Sequence, residues 1–254
     1  MLKDGAIITT NLVKKFRKLC AVDNLNLSIP HGITYGLLGP NGAGKTTTVR
    51  ILNSILKPTS GKAIVGGFDV LTQSNKVKAI CGFLPEAPSL YQKLTAREFL
   101  EFVGALYYLN EERMNKRIDE LLRLFELDNK ERDLIEGYSR GMKQKLCICA
   151  TLIHDPEIIF LDEPTSNLDP AASNMVKNLI LNLVKKAQKT LFICTHLLDV
   201  AEQLCDIIGI IDKGSIITEG SPKEIIESVE AENLEQAYLK IMNVNDDNNL
   251  LSWR

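Results

Sequence analysis

Gly39-Pro40-Asn41-Gly42-Ala43-Gly44-Lys45-Thr46-Thr47 is the stretch on which the reading of this 254-residue chain turns. It fits G-x-x-x-x-G-K-[ST] and follows a short apolar run that ends at Leu38. Glycines and a proline between a strand and a helix turn several backbone N–H groups onto one concave surface. That surface suits the phosphates of a nucleotide. Lys45 adds a cation at the β/γ end, and the Thr46 hydroxyl is the group of this pattern that holds Mg²⁺. A Gly-rich turn that merely caps a helix would need neither.

Composition narrows the setting. Hydrophobic residues make up 45% and charged residues 24%, the balance of a globular domain with a sizeable core. The formal net charge of −2 gives no general field to draw in nucleic acid. The N-terminal residues carry no apolar stretch of signal-peptide length, and no segment reaches about 18 uninterrupted apolar residues. Cys20, Cys81, Cys147, Cys149, Cys194 and Cys205 form no C-x-x-C pair and read as buried thiols of a reducing compartment.

Along the chain, residues 6–13, 22–29 and 32–38 have strand character, and 45–56 reads as a helix stopped by Pro58. A short strand is expected at 62–66. From Thr95 the pattern turns helical, with apolar residues at three- and four-residue spacing over 96–109, 111–125 and 141–153. Beyond 157–161, a buried strand, helices and strands alternate: helix 170–187, strand 190–194, helix 197–204, strand 207–211 and a returning strand 215–219. Strands that alternate with helices imply an α/β fold with a parallel core sheet. The helical block from about 87 to 152 reads as a subdomain inserted into it. Helices at 224–229 and 233–242 follow, and 243–254 reads as a loosely ordered tail.

A second chemical signal is Ile158-Ile159-Phe160-Leu161-Asp162-Glu163. Four apolar residues make a buried strand with two carboxylates at its C-terminal end, where open α/β sheets bind ligands. Asp162 is placed to reach Mg²⁺ through water, and Glu163 to face the water that attacks a γ-phosphate. His196 follows the strand 190–194; one ring nitrogen can donate while the other accepts.

The third signal, Tyr138-Ser139-Arg140-Gly141-Met142-Lys143-Gln144-Lys145-Leu146, resembles the signature of the ATP-binding cassette, or ABC, ATPases. The order phosphate loop, helical insertion, signature, acidic strand and histidine is similar to that family over nearly the whole chain. Arg140 and Met142 stand where the commonest signature has Gly and Gln. The resemblance implies a P-loop NTPase of the ABC-ATPase fold, with a parallel core sheet, an antiparallel β subdomain and the inserted helices. It implies an ATPase domain over 1–230, and a C-terminal helix and tail over 231–254.

The same resemblance assigns roles. Gly39 to Thr47 would cradle the triphosphate of ATP. Thr46, Asp162 and Glu86 would serve Mg²⁺, Glu163 would act on water, and His196 would contact the γ-phosphate. Phe16 would stack on adenine, although a core aromatic at a strand end is the plain alternative. Ser139 and Gly141 would complete the site of a second ABC ATPase subunit. Ser166-Asn167-Leu168-Asp169 would link the two sites, with Asn167 where Gly is usual. Glu86 and the following Tyr91 to Glu98 look like the branch that pairs with type-2 exporter permeases. A separate transmembrane permease is therefore an implied partner, and the cytoplasmic face of the membrane the implied location. A soluble ABC ATPase acting on a macromolecule and a regulator that binds ATP with little turnover remain alternatives.

Overall fold

The computed structural model describes residues 5–87, 90–166 and 168–243. Asn167 of the linking loop and positions 244–254 of the expected tail lie outside the described residues. Chain order begins β1 (Ile7–Phe16), β2 (Leu19–Ile29), β3 (Thr34–Leu38), α1 (Lys45–Leu52), β4 (Ser60–Val65), β5 (Phe68–Asp69), α2 (Ser74–Ile80) and β6 (Cys81–Leu84). Three helices follow, α3 (Ala96–Leu106), α4 (Glu111–Leu124) and α5 (Arg140–Leu152). Then come β7 (Ile158–Asp162), α6 (Pro170–Lys185), β8 (Thr190–Thr195), α7 (Leu198–Leu204), β9 (Ile207–Asp212), β10 (Ser215–Gly220), α8 (Pro222–Ser228) and α9 (Leu234–Ile241).

Two sheets divide the strands. One is antiparallel, in the order β2-β1-β4-β5; the other runs β10-β9-β3-β8-β7-β6, parallel except where β10 returns along β9. The central strands are apolar on both sides because both sides are covered. In β8, Leu191 and Ile193 enter the cluster that packs the helices, while Phe192 and Cys194 enter the cluster shared with the antiparallel sheet and α1. In β7, Ile159 and Leu161 take the first side, Ile158 and Phe160 the second. The strand period of two thus sends alternate residues into two cores. Burying each such side chain is worth about 1.5–3 kcal/mol.

Sequence and structure differ in a few elements. The helix expected to reach residue 56 ends at Leu52, because Asn53 donates its side-chain N–H back to the Val49 carbonyl and Ser54 takes a left-handed turn at φ 55°. No element was expected over α2 and β6. The latter is four residues long with Gly82 inside it, and a Cβ at Gly82 would meet the Thr151 carbonyl of α5 at 2.5 Å. Close approach of a helix, rather than strand propensity, selects that glycine.

The inserted helices are built from strong local signals. Thr95 and Glu98 form a capping box at the start of α3, Asn110 caps α4 and Ser139 caps α5. Arg97 of α3 pairs with Asp119 and Glu131, fastening the helices to one another. The block meets the core at an aromatic stack. Tyr107, at the end of α3, lies flat on His154, with ring centroids 3.6 Å apart and planes 4° apart. His154 donates from Nε2 to the Cys81 carbonyl at 3.1 Å. Burial lowers its pKa from 6.5 to about 4, so the folded protein holds the ring neutral.

The unfolded chain takes up a proton near pH 6.5 and the folded one only near pH 4, so protonation favours unfolding across that window. Stability attributable to His154 is complete above the upper value and lost as pH falls through the window, by about 3 kcal/mol. Urea unfolding of the parent chain and of His154→Phe at pH 7 and pH 4 checks this: the variant loses that part of the acid slope.

Candidate active site

At the C-terminal ends of β3, β7 and β8 lies an open cavity of 460 Å³. Phe16, Leu19 and Ala21 form one wall, Asn41, Gly42 and Gly44 to Thr47 the floor, and Glu86, Asp162, Glu163 and His196 the far side. The strand ends converge there because the parallel register sets Leu38 beside Thr195, and Asp162 beside Cys194. Sequence reasoning did not single out Leu19 and Ala21. They reach the cavity through the β1–β2 hairpin, whose register sets Phe16 opposite Leu19.

The floor is an uncapped helix end. Gly44 precedes α1 at φ 109°, no side chain caps the helix, and its first turn holds no acidic residue. The orphan N–H groups of that turn therefore point into the cavity, at the positive end of the helix dipole. Gly44 is required on two counts. Its φ lies in the left-handed region, and a Cβ there would sit 2.3 Å from the Ala21 carbonyl oxygen. Gly42 has a positive φ too, with nothing within 4 Å. The loop is braced from behind, where Gly214 donates to the Ala43 carbonyl at 2.9 Å and accepts from Asp23 N–H at 2.9 Å.

Lys45 is folded onto its own loop. Its Nζ donates to the Gly39 carbonyl at 2.6 Å and to the Pro40 carbonyl at 3.1 Å. Thr46 donates to Asp162 Oδ2 at 3.0 Å, joining the helix start to the end of β7. Burial raises the Asp162 carboxyl above its ordinary value, and Glu86 and Glu163 push it the same way, while Thr46 and Lys45 oppose. An acidic group held by a hydroxyl and repelled by neighbouring carboxylates is a seat for a cation. Among the described residues no cluster of three or more His, Cys, Asp or Glu side chains could hold a metal alone. The donor set thus fits a hard ion such as Mg²⁺, which uses one or two protein oxygens together with phosphates and water.

Glu163 is the most constrained residue of the site. Its φ of 52° is unusual for a side chain with a Cβ. Its N–H donates to the Cys194 carbonyl at 2.9 Å, and Oε1 accepts from His196 N–H at 2.9 Å. Oε1 also bonds His196 Nδ1 at 2.7 Å, and Oε2 accepts from the Thr195 hydroxyl at 3.0 Å. His196 itself is exposed, its ring held by that bond.

Not every expected site residue meets in this cavity. Gly39, Pro40 and Ala43 form the loop behind Lys45 and do not line it. Ser139 and Gly141 sit at the start of α5, away from the cavity, where Ser139 accepts from Met142 N–H at 3.2 Å. Asp169 caps α6 through Ala172 N–H at 2.9 Å. One link joins the two regions: the Gln144 side chain of α5 donates to the Pro164 carbonyl just beyond Glu163, at 3.4 Å.

Comparison with known proteins places these features. The family model for ABC transporter matches residues 22–166. The chain is 38% identical over 224 residues to the daunorubicin resistance ATP-binding protein DrrA3 of Streptomyces coeruleorubidus, covering 88% of this chain and 71% of that one. It is 38% identical over 220 residues to the ABC transporter ATP-binding protein NatA of Bacillus subtilis, covering 86% and 89% respectively. Among solved structures, a dimeric ATP-binding cassette in a post-hydrolysis state bound to ADP and Pi matches with a TM-score of 0.78 at 27% identity, over 85% of this chain and 98% of that one.

Gly44→Ala sets a Cβ against backbone that cannot yield, so titration with a fluorescent ATP analogue is expected to give binding weaker by at least tenfold. Gly42→Ala meets only the left-handed strain of about 1 kcal/mol and is expected to keep most of the affinity.

Proposed function

This chain belongs to the ABC transporter family, and on that premise we propose that it is the ATP-hydrolysing motor of a membrane exporter, working as one of two facing cassettes. The observation that carries the reading is the convergence of Lys45, Thr46, Asp162, Glu163 and His196 on one cavity at the strand ends. We take residues 1–230 as the ATPase unit, with 87–152 inserted.

In this reading the N–H groups at the start of α1 bind the triphosphate, and Lys45 leaves its own loop carbonyls to meet the β- and γ-phosphates. Thr46, Asp162 and Glu86 hold Mg²⁺, which supplies charge neutralisation on the phosphate oxygens when bound. Glu163 orients the attacking water, and His196 reaches the γ-phosphate from the opposite side. Phe16 presents an open ring face to the adenine. Its other face is covered by Lys14, whose Nζ lies 4.8 Å from the ring centroid and donates to the Lys57 carbonyl.

The exposed start of α5, which does not line the cavity of its own chain, supports a role for Ser139 and Gly141 toward the nucleotide of a partner cassette. A pair closed on ATP forms by mass action and reopens on hydrolysis. Glu163→Gln is expected to bind ATP, to hydrolyse it about 10²–10³-fold more slowly, and to run as a dimer in size-exclusion chromatography with ATP. Hydrolysis at the parent rate would remove Glu163 from this role.

Among the described residues no helix is long and apolar enough to cross a membrane. We take a membrane permease as the partner of this cassette and place its docking site on the inserted helices, at the cytoplasmic side of the membrane. A groove of 220 Å³ runs between Pro85, Leu90, Phe99, Val103 and Tyr107. Tyr91, Phe102, Leu106 and Tyr108 are exposed large apolar residues of the same region. An apolar patch of this kind marks an interaction surface. Phe102→Glu is expected to keep ATPase activity and to lose co-purification with the permease in detergent; co-purification at the parent level would count against this surface.

A further inference from the structure

We propose that Thr195 is a positioning residue for ATP hydrolysis, fixing the Glu163 carboxylate so that one acceptor site on Oε2 stays open to the attacking water. The proposal rests on the assignment of Glu163 as the water-orienting group and adds a residue to it.

The geometry is a count of acceptor sites. An ionised carboxylate offers about four lone-pair directions, two on each oxygen. Oε1 takes two bonds, from the N–H and the Nδ1 of His196 at 2.9 and 2.7 Å. Oε2 takes one, from the Thr195 hydroxyl at 3.0 Å. Among the bonds of the described residues, the one site left over is on Oε2. Glu163 is buried, with 6% of its surface exposed, yet it lines the cavity. The open site is therefore the way the carboxylate addresses that space.

Thr195 is itself locked. It is the last residue of β8, fully buried, and its hydroxyl oxygen accepts from Leu197 N–H at 3.0 Å. With that acceptor position used, the one hydroxyl proton is directed at Oε2. The two His196 bonds act on Oε1 alone and leave the carboxylate plane able to turn about the bond to its chain. A third bond, on the other oxygen, sets the plane. Misplacement of a reacting group by a fraction of its contact distance is enough to cost one to two orders of magnitude in rate.

The test compares purified full-length variants in steady-state ATP hydrolysis, with binding of a fluorescent ATP analogue and thermal unfolding measured beside it. Thr195→Val keeps the shape and loses the hydroxyl; kcat is expected to fall at least tenfold, with analogue affinity within about twofold of the parent. Thr195→Ser keeps the hydroxyl and is expected to stay within about threefold of the parent kcat. In a Glu163→Gln background, Thr195→Val is expected to add no further loss, since the hydroxyl acts through that carboxylate. A folded Thr195→Val at the parent kcat would overturn the proposal. So would a Thr195→Ser as slow as Thr195→Val, because the loss would then follow the methyl group. If Thr195→Val does not fold, Thr195→Cys, similar in volume and a poor donor, is judged by the same kcat criterion. Glu163→Gln also separates the two levels of the argument. If it hydrolyses ATP normally, the role of Glu163 and that of Thr195 fall together. If it is inactive while Thr195→Val is not, only the Thr195 assignment falls.

Discussion

The phosphate loop exists because residue 44 has no side chain. Ala21 of β2 brings its carbonyl oxygen to 2.3 Å from where a Cβ of Gly44 would stand. That approach lets the antiparallel sheet sit directly behind the loop, and the β9–β10 turn closes against both through Gly214. Three backbone segments thus meet with nothing between them. The wall carrying Phe16 and Leu19 and the floor carrying Lys45 and Thr46 are held at one separation by direct main-chain contact. A cavity that must match base and phosphates at once needs a fixed distance between them.

Around this frame the electrostatics are deliberately unbalanced. Asp162, Glu163 and Glu86 share one rim, and burial together with mutual repulsion raises the Asp162 carboxyl. Lys45 supplies the facing positive charge, while the uncapped start of α1 supplies partial charge without a counterion. The site is arranged for a ligand that brings both signs, an anion with its cation. A metal-free anion would leave the acidic rim uncompensated, and a lone cation would leave the helix end unsatisfied.

Much of this was legible in the sequence. The loop from Gly39 to Thr47, the acidic end of β7 and the alternation of elements pointed to the ABC-type α/β fold that the chain adopts. What stayed hidden has physical reasons. β6 is short and interrupted by Gly82, so its strand identity comes from pairing with β7, not from propensity. Leu19 reads as an ordinary strand residue until hairpin register sets it opposite Phe16. Thr195 looks like a β-branched strand end. Its bond to Glu163 spans 32 positions in the chain and arises only once β7 and β8 lie side by side. Pairing across a sheet is a tertiary fact that single-residue patterns do not carry.

The bonds of Lys45 to Gly39 and Pro40 have a calorimetric corollary. The ammonium already has two carbonyl partners, so triphosphate uptake is an exchange, in which old contacts break as new ones form. The heat released is the difference between two charge-assisted sets rather than the full strength of either. The two carbonyls left behind must find water, and that rehydration belongs to the same ledger. Titration calorimetry on this protein therefore reads a net enthalpy smaller than the contacts of the bound nucleotide would imply by inspection.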